Sequence, residues 1–253
     1  MPSNLYPDLR REPPPVLPVP GRALAVGAHP DDAEFGAGGT LASWARQGTE
    51  VTLIVVTDGS KGSWDPGEDP AALVAAREAE ARAAAAALGA TRVLFLGEVD
   101  GELEPERRLK AEVARWIRRL RPDVVLTHDP WQRYQLHPDH RATGWIVADA
   151  VVAARDPLFF PEQLDDGLAA HRPAALLLWS ADEPDHWEDV AGGLDRKVAA
   201  LLCHASQART TMRDAHRDDA AREAFAADVA AWAARAGAPV DLGAAEAFRR
   251  ITP

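Results

Sequence analysis

Short apolar runs alternate with long alanine-rich amphipathic stretches through most of this 253-residue sequence. The runs are rich in valine, leucine and isoleucine, as buried strands are, and the amphipathic stretches repeat their apolar residues at helical spacing. Such alternation favours a mostly parallel sheet with helices on both faces. The sequence therefore predicts an α/β fold of the doubly wound, Rossmann-like type. The predicted strands cover residues 23–28, 51–57, 92–96, 123–127 and 174–179.

Helices are predicted between and after these strands. Gly89 directly follows the second helix, where a C-terminal glycine is expected. In the third helix Leu109, Val113 and Ile117 share one face, which should pack on the core. The predicted helices cover residues 38–47, 71–88, 106–120, 141–154, 194–203 and 214–236.

The length of the chain fits one domain, since single cores extend to roughly 250–300 residues. Residues 21–253 are expected to form that domain. The first 20 residues contain seven prolines and are expected to form an extended segment ahead of it.

Charge and cysteine content exclude several classes of partner. Lys and Arg total 28 against 39 Asp and Glu, so the net charge is −11 and a nucleic-acid partner would be repelled. The one cysteine, Cys203, permits no internal disulfide, which suits the cytoplasm, and is expected to be a buried core thiol. With neither a signal peptide nor an apolar run of about 18 residues, no membrane partner is expected. The sequence leaves a homo-oligomer open.

Polar residues follow every predicted strand. In doubly wound folds ligands bind at the carboxyl ends of the strands, so these residues are expected to meet at one edge of the sheet. The glycines of residues 36–39 lack the GxGxxG register, so no nucleotide cofactor is expected. The polar stretches are residues 29–34, 58–64, Asp100, 127–140 and 182–187.

The triplet His-Pro-Asp occurs twice, at residues 29–31 and 137–139. His29 and Asp32 are spaced to bind one ion from a single turn, and His140 can supply a third ligand from the neighbouring loop. Two imidazoles and a carboxylate with an open position are typical of catalytic zinc. Another divalent ion such as Fe²⁺ would accept the same ligands.

Three further residues of these motifs would lie beside the ion. Asp31 could take a proton from a bound water, and His137 could act opposite it as an acid or as a partner of the oxyanion. Asp139 could accept a hydrogen bond from His137 or from another imidazole and so fix its tautomer. This layout is hydrolytic.

Other interpretations of the motifs stay open at this point. A single HPDD is also explained by a turn with an aspartate at a helix N-cap, although the second motif favours a metal. Fe(II) oxygenases use the same ligand set, usually on β-barrel scaffolds, which the α/β alternation argues against. A non-catalytic binding module with a structural metal would need a closed, four-ligand site and would leave Asp31 and His137 without a role.

The segments AHPDDAEFGAGGTL, TDGSKGSWDP, FLGEVDGEL and HPDH resemble, in that order, the zinc-dependent N-acetylglucosaminyl deacetylases of the PIG-L/LmbE type. The resemblance runs from about residue 23 to residue 250. It implies a metal-dependent hydrolase that removes an acyl group, commonly acetyl, from a small amino-sugar conjugate. It also permits cleavage of a thiol-conjugate amide by the same site.

The resemblance implies a role for individual residues. Arg77 and Asp100 would hold the sugar. The glutamate that many relatives place directly after HPDD is displaced to Glu34, and a tyrosine that some place two residues before HPDH is Gln135, with Tyr134 one step earlier. The implied zinc ligands are His29, Asp32 and His140, the implied general base is Asp31, and the implied oxyanion or leaving-group residue is His137, partnered by Asp139.

Aromatic residues in the loops could form a platform for the substrate. Trp64, Trp131 and Trp187 are expected in loops at the metal-bearing edge, where aromatic faces suit sugar rings. Tyr134 is expected to contact substrate there as well. By resemblance His204, with Ser206 and Gln207, could border the pocket, but a histidine at a helix end is more often a C-terminal cap.

Overall fold

The computed structural model describes residues 17–253, so residues 1–16 of the expected proline-rich segment lie outside the described part. The described residues form a seven-stranded sheet in the order β3-β2-β1-β4-β5-β7-β6. The strands are β1 (Arg22–Gly27), β2 (Glu50–Thr57), β3 (Arg92–Glu98), β4 (Val124–His128), β5 (Ala175–Trp179), β6 (His186–Asp189) and β7 (Ala245–Ile251).

Strands β1 to β5 pair in parallel, whereas β7 is antiparallel to both β5 and β6. The predicted α/β fold with a mostly parallel sheet is confirmed. The helices are α1 (Asp32–Arg46), α2 (Pro70–Leu88), α3 (Arg107–Leu120), α4 (Pro138–Arg155), α5 (Glu162–Asp165), α6 (Leu194–Leu201) and α7 (Asp219–Gly237), and 3₁₀ turns cover Ala205–Gln207 and Ala238–Val240.

Each face of the sheet packs on its own set of helices. Ala23 and Ala25 of β1 point into a core formed with α1, α2 and α6. Leu24 and Val26, which alternate with them, point into a second core formed with α3 and α4. This alternation is the side-chain period of a strand, and it explains why the strands are apolar on both sides.

The structure corrects three expectations from the sequence. Helix α1 begins at Asp32 instead of residue 38, because its glycines, although poor helix formers, lie within the helix and let side chains of neighbouring elements pack closely against it. Helix α4 begins at Pro138 instead of residue 141, with the proline in the first turn, where its missing N–H costs nothing. Trp187 lies in strand β6 and not in a loop.

Strand β7 fixes the position of α1. Glu246 accepts hydrogen bonds from the backbone N–H groups of Gly39 and Thr40 at 2.9 and 2.8 Å. Its carboxylate also contacts Nζ of Lys197 at 2.6 Å, and that ammonium donates to the carbonyl of Phe35 at 2.7 Å. The helix that begins at the first His-Pro-Asp motif is therefore held in place by side chains from β7 and α6.

Among residues 17–253, no helix combines the length and the apolar character that crossing a membrane requires.

Candidate functional site

A cavity of about 660 Å³ lies at the carboxyl ends of β1 to β5, where the polar loops were expected to meet. The candidate residues named from the sequence that line it are His29, Asp31, Asp32, Trp64, Arg77, Asp100, His137 and His140. Gln207, which the resemblance implied at the border of the pocket, also lines it. Further lining residues, not singled out from the sequence as site residues, include Phe35, Gly36, His128, Trp179, Ser180, Thr210 and Thr211.

Three side chains point donor atoms at one another at the bottom of this cavity. Nε2 of His140 lies 3.2 Å from Nδ1 of His29 and 3.3 Å from Oδ1 of Asp32. Nδ1 of His29 lies 3.4 Å from Oδ2 of Asp32. Ligand atoms about 2.1 Å from a tetrahedral zinc lie about 3.4 Å apart, so each pair of these residues places donor atoms at the spacing that the ion needs, with one oxygen of Asp32 nearest each imidazole.

The second nitrogen of the His29 ring, Nε2, is held by two carboxylates. Its Nε2 lies 3.2 Å from Oδ2 of Asp139 and 3.2 Å from Oδ1 of Asp100. Asp139 is fully buried and also accepts from the N–H groups of Gly101 at 2.6 Å and Leu103 at 3.3 Å. The proton of His29 is therefore directed to Nε2, which leaves the Nδ1 lone pair for a metal. Of the two partners expected for Asp139, the structure selects another imidazole, His29, and not His137.

The buried carboxylates of the cluster favour a positive charge beside them. Burial lowers the pKa of His29, but hydrogen bonds to Asp100, Asp139 and Asp32 outweigh it and raise that pKa to about 12. Burial raises the pKa of Asp32, but the adjacent His128 and His140 hold it well below its usual range. A cluster that draws a proton onto a buried imidazole suits a divalent cation in the same place.

Asp31 occupies the N-cap position of α1 without acting as a cap. Its φ is 114°, outside the usual range for a non-glycine residue, and its side chain makes no capping hydrogen bond. Its Oδ2 is buried without a hydrogen-bond partner. Burial raises the pKa of Asp31 to about 6, against the lowering effect of the Arg77 guanidinium. Strain and an unpartnered carboxylate oxygen disfavour the simple N-cap interpretation and point to function.

Arg77 is buried behind Asp31 and braces two loops. It donates from Nη2 to the carbonyl of Pro30 at 2.8 Å and from Nη1 to the carbonyl of Gly59 at 3.0 Å. Nη2 also lies 3.8 Å from Oδ1 of Asp31. A Cβ atom at Gly59 would lie 2.8 Å from the guanidinium, so a glycine makes the approach feasible. The implied role of Arg77 in holding a sugar stays a prediction.

His137 completes a group of imidazoles around the donor atoms. Its ring stacks on His140 at 4.8 Å between centroids and meets the edge of His29 at 4.5 Å. Burial lowers the pKa of His137, so the ring is neutral near pH 7. Its Nδ1 is buried without a hydrogen-bond partner.

Three of the four aromatic residues expected at the substrate site do not line the cavity, among them Trp187 of β6. Trp64 lines the cavity and is 74% exposed. Trp131 packs edge-on against Trp145, with 4.8 Å between ring centroids, and lines a separate cavity of about 820 Å³. Tyr134 is 93% exposed and does not line the cavity. The loop after β4 turns away from the donor atoms before it returns at His137, so proximity in sequence misled the prediction for Trp131 and Tyr134.

Sequence reasoning missed His128, the last residue of β4. Its Nε2 lies 3.1 Å from Oδ2 of Asp32, and its ring stacks on His140 at 4.2 Å between centroids. Its Nδ1 accepts a hydrogen bond from Nε1 of Trp179 at 3.0 Å. Burial lowers the pKa of His128. A histidine at the carboxyl end of a buried strand, in VVLTHDP, is the signal that could have identified it.

Two residues that follow α6, Cys203 and His204, are buried to a different extent from the one expected. His204 is fully buried, with Nε2 3.7 Å from Oε1 of Glu34, and it is not an exposed helix cap. Burial lowers the pKa of His204, but the Glu34 carboxylate outweighs this and raises it. Cys203 is not the buried core thiol that was expected: it is partly buried at the edge of the core, and its Sγ donates to the carbonyl of Ala199.

Gln207 connects the segment after α6 to the cavity wall. It donates from Nε2 to the carbonyl of Gly62 at 3.1 Å, and its Oε1 accepts from the hydroxyl of Thr210 at 3.1 Å. Thr211 donates to the carbonyl of Gln207 at 3.1 Å. The loop after β2 and the segment after α6 therefore form one continuous wall.

Comparison with known proteins agrees with this geometry. A family model described as GlcNAc-PI de-N-acetylase, PIG-L, matches residues 24–151, which include both His-Pro-Asp motifs. Diacetylchitobiose deacetylase of Thermococcus kodakarensis is 33% identical over 186 residues, which cover 74% of this chain and 70% of that protein. The 1D-myo-inositol 2-acetamido-2-deoxy-alpha-D-glucopyranoside deacetylase of Nakamurella multipartita is 32% identical over 241 residues, which cover 76% of this chain and 81% of that protein.

The fold is also similar to a solved structure. N,N'-diacetylchitobiose deacetylase from Pyrococcus horikoshii, complexed with its inhibitor MPG, superposes with a TM-score of 0.82. The two chains are 28% identical, and the superposition covers 92% of this chain and 84% of that one.

Proposed function

This chain belongs to the GlcNAc-PI de-N-acetylase (PIG-L) family, and from that membership we propose that it hydrolyses the N-acetyl group of an N-acetylglucosamine-type sugar conjugate with the help of zinc. The observation that carries the proposal is the placement of buried Asp31 directly beside a donor set of the size that zinc requires. The products are acetate and a free amine. The single cysteine supports a reducing compartment such as the cytoplasm.

The zinc ion would be held by Nδ1 of His29, a carboxylate oxygen of Asp32 and Nε2 of His140. Bound there, it would polarise the acyl carbonyl and lower the pKa of a water molecule. The carboxylates of Asp139 and Asp100 keep the other nitrogen of His29 protonated and its ring in place.

Asp31 is the general base of this mechanism. With a pKa of about 6, it is about 90% ionised at pH 7, and its unpartnered Oδ2 is free to accept a proton from the attacking water. The same carboxyl group then returns the proton to the departing amine. Burial keeps the pKa of Asp31 close enough to the working pH for both transfers.

His137 is assigned to the acyl oxygen. It lines the cavity next to the donor atoms, and its lowered pKa keeps the ring neutral, with one N–H available as a donor. A neutral donor fixed by stacking on His140 can stabilise the negative charge that develops on the oxygen as water adds to the carbonyl.

The purified chain should be assayed for release of acetate and amine from N-acetylglucosamine, N,N'-diacetylchitobiose and an N-acetylated thiol glycoside. We expect activity that is lost on chelation and restored by zinc. We expect Asp31→Asn to lower kcat at least 100-fold, whereas Asp219→Asn, whose side chain is 98% exposed at the start of α7, leaves it unchanged.

Full turnover by Asp31→Asn would overturn the assignment of the base. Activity that persists at the same level after the metal has been removed would overturn the metal-dependent mechanism. Cleavage of the thiol glycoside alone would move the substrate class to thiol conjugates while keeping the same site.

A further inference from the structure

A chain of hydrogen bonds runs from β5 through β4 to Asp32. Nε1 of Trp179 lies 3.0 Å from Nδ1 of His128, and Nε2 of His128 lies 3.1 Å from Oδ2 of Asp32. Trp179 is 2% exposed and His128 is 5% exposed, so water does not compete for these contacts. Assigning the protons therefore shows which group donates and which accepts in each hydrogen bond.

The indole of Trp179 assigns them. An indole N–H donates and has no lone pair to accept with, so Nδ1 of His128 must accept and carries no proton. The single proton of His128 is then on Nε2, from which it is donated to Asp32. The N–H of Ala28 also points to this Nε2, at 3.4 Å, but the Asp32 carboxylate is closer, at 3.1 Å, and can only accept, so the Nε2 proton is directed to Asp32.

The two oxygens of Asp32 consequently differ. Oδ2 accepts from His128 and also from the backbone N–H of His29 at 2.7 Å. Oδ1 has no such donor and lies 3.3 Å from Nε2 of His140. Because two N–H groups occupy the lone pairs of Oδ2, Oδ1 is the oxygen that remains for a metal ion.

We propose that Trp179 and His128 are positioning residues of the metal centre, which restrict Asp32 to one ligating oxygen and keep His128 out of the ligand set. The nitrogen of His128 lies within 4.8 Å of ligand atoms of Asp32 and His140, so distance alone would allow it to bind the ion. Its proton prevents this. A one-oxygen carboxylate and three protein ligands leave a coordination position open for water, as a catalytic zinc site requires.

Gly36 makes the contact of Trp179 with β4 feasible. A Cβ atom at Gly36 would lie 2.5 Å from two atoms of the indole ring. Gly36 is one helical turn after Asp32 in α1, so the same helix supplies the ligand and the space for the residue that orients it. Alanine is the better helix former, so the glycine serves this packing and not the helix.

The proposal rests on the metal site of the proposed function but not on its substrate, and a spectroscopic test needs no enzymatic activity. Long-range ¹H–¹⁵N correlation spectra of the purified chain report the protonation of each histidine nitrogen, with His128 assigned from a His128→Gln variant. We expect Nδ1 of His128 unprotonated and Nε2 protonated, both before and after zinc is added. A proton on Nδ1, or loss of the Nε2 proton on addition of zinc, would overturn the proposal.

Metal affinity provides the second test, with a matched control. Trp179→Phe removes the N–H that fixes the tautomer, and Trp44→Phe removes an equally buried indole that donates to Glu188 at 3.3 Å, away from the cluster. We expect Trp179→Phe to raise the Kd for zinc, measured by competition with a chelator, about tenfold, and Trp44→Phe to leave it unchanged. An unchanged Kd in Trp179→Phe, or an equal loss in both variants, would refute the assigned role.

Variants of His128 cover the case in which Trp179→Phe does not fold. Glutamine can still accept from the indole and donate to Asp32, so His128→Gln should keep the Kd close to that of the unmodified chain. His128→Leu has no donor and should raise it about tenfold. Equal affinity of the two variants would contradict the proposal, because a purely packing role would not distinguish them.

Discussion

Two substitutions of Arg77, compared with each other, separate two effects that this residue exerts on the general base. Its guanidinium lowers the pKa of Asp31 by charge, and it braces the carbonyl groups of Pro30 and Gly59 by hydrogen bonds. Arg77→Met removes both effects. Arg77→Lys keeps the charge but cannot reach two carbonyls with a planar fork.

The expected size of the charge effect follows from the distance. Nη2 of Arg77 lies 3.8 Å from Oδ1 of Asp31. At an effective dielectric constant of about 20, unit charges at this distance interact by about 4 kcal/mol, which is an upper limit of about three pKa units. Carboxylates beside an arginine commonly shift by 1–3 units. The pKa of Asp31 should therefore rise from about 6 to roughly 7–9 in Arg77→Met.

The pH profile of kcat/KM measures this shift. The base must be ionised, so activity falls as the pH drops through the pKa of Asp31, and raising that pKa moves the acid limb to higher pH. At pH 7 we expect Arg77→Met to lose about half to 99% of kcat/KM through ionisation alone, and to recover toward pH 9. Arg77→Lys should keep the acid limb near pH 6.

The loss of the hydrogen bonds from Arg77 to the carbonyls of Pro30 and Gly59 is measured separately by urea unfolding. Arg77→Met should lower the free energy of unfolding by about 2–4 kcal/mol, because two buried carbonyls lose their charged donor, and Arg77→Lys should lower it by about half as much, because it can still donate to one of them. An acid limb that stays at the same pH in a folded Arg77→Met variant would refute the electrostatic reasoning.

Four further substitutions test other contacts. Glu246→Gln should lower the free energy of unfolding by about 3–5 kcal/mol in urea titrations, because it leaves the buried ammonium of Lys197 without a counter-charge. Asp139→Asn should weaken zinc binding 10–100-fold in chelator competition. Burial raises the pKa of Asp139, but the hydrogen bonds from His29 and from the backbone outweigh it and lower that pKa. The wild-type carboxylate therefore stabilises the fold above about pH 4, and this stability is lost as the pH falls through the folded pKa. Acid titration of metal-free Asp139→Asn should lack this loss. Trp64→Ala should raise KM without changing kcat, whereas Trp131→Ala, in the other cavity, should change neither.

The local sequence pattern was sufficient to predict the parallel strands of the sheet. Strands β1 to β5 were predicted to within about two residues, because each is a short apolar run between helices. Strands β6 and β7 were not predicted. Their segments, HWED and AEAFRRI, mix charged and apolar residues, and they become strands only because β7 returns antiparallel to β5.

The candidate site divides in the same way. The two His-Pro-Asp motifs predicted residues that the structure brings together, because residue type and short spacing indicate which groups can bind a metal. The same reasoning failed for Trp131 and Tyr134, since the path of the loop between β4 and α4, including a positive φ of 61° at Tyr134, is not expressed by spacing.

The sequence by itself determined the residue types at the sheet edge and the alternation that brings them there. Only the tertiary structure decided which nitrogen of His29 faces the other donor atoms, which imidazole Asp139 holds, and that His128 orients Asp32. These contacts join residues 110 positions apart, for His29 and Asp139, and 96 apart, for His128 and Asp32. Helical and strand periodicity arise from neighbours along the chain, whereas hydrogen bonds over such separations depend on the register and packing of the whole sheet.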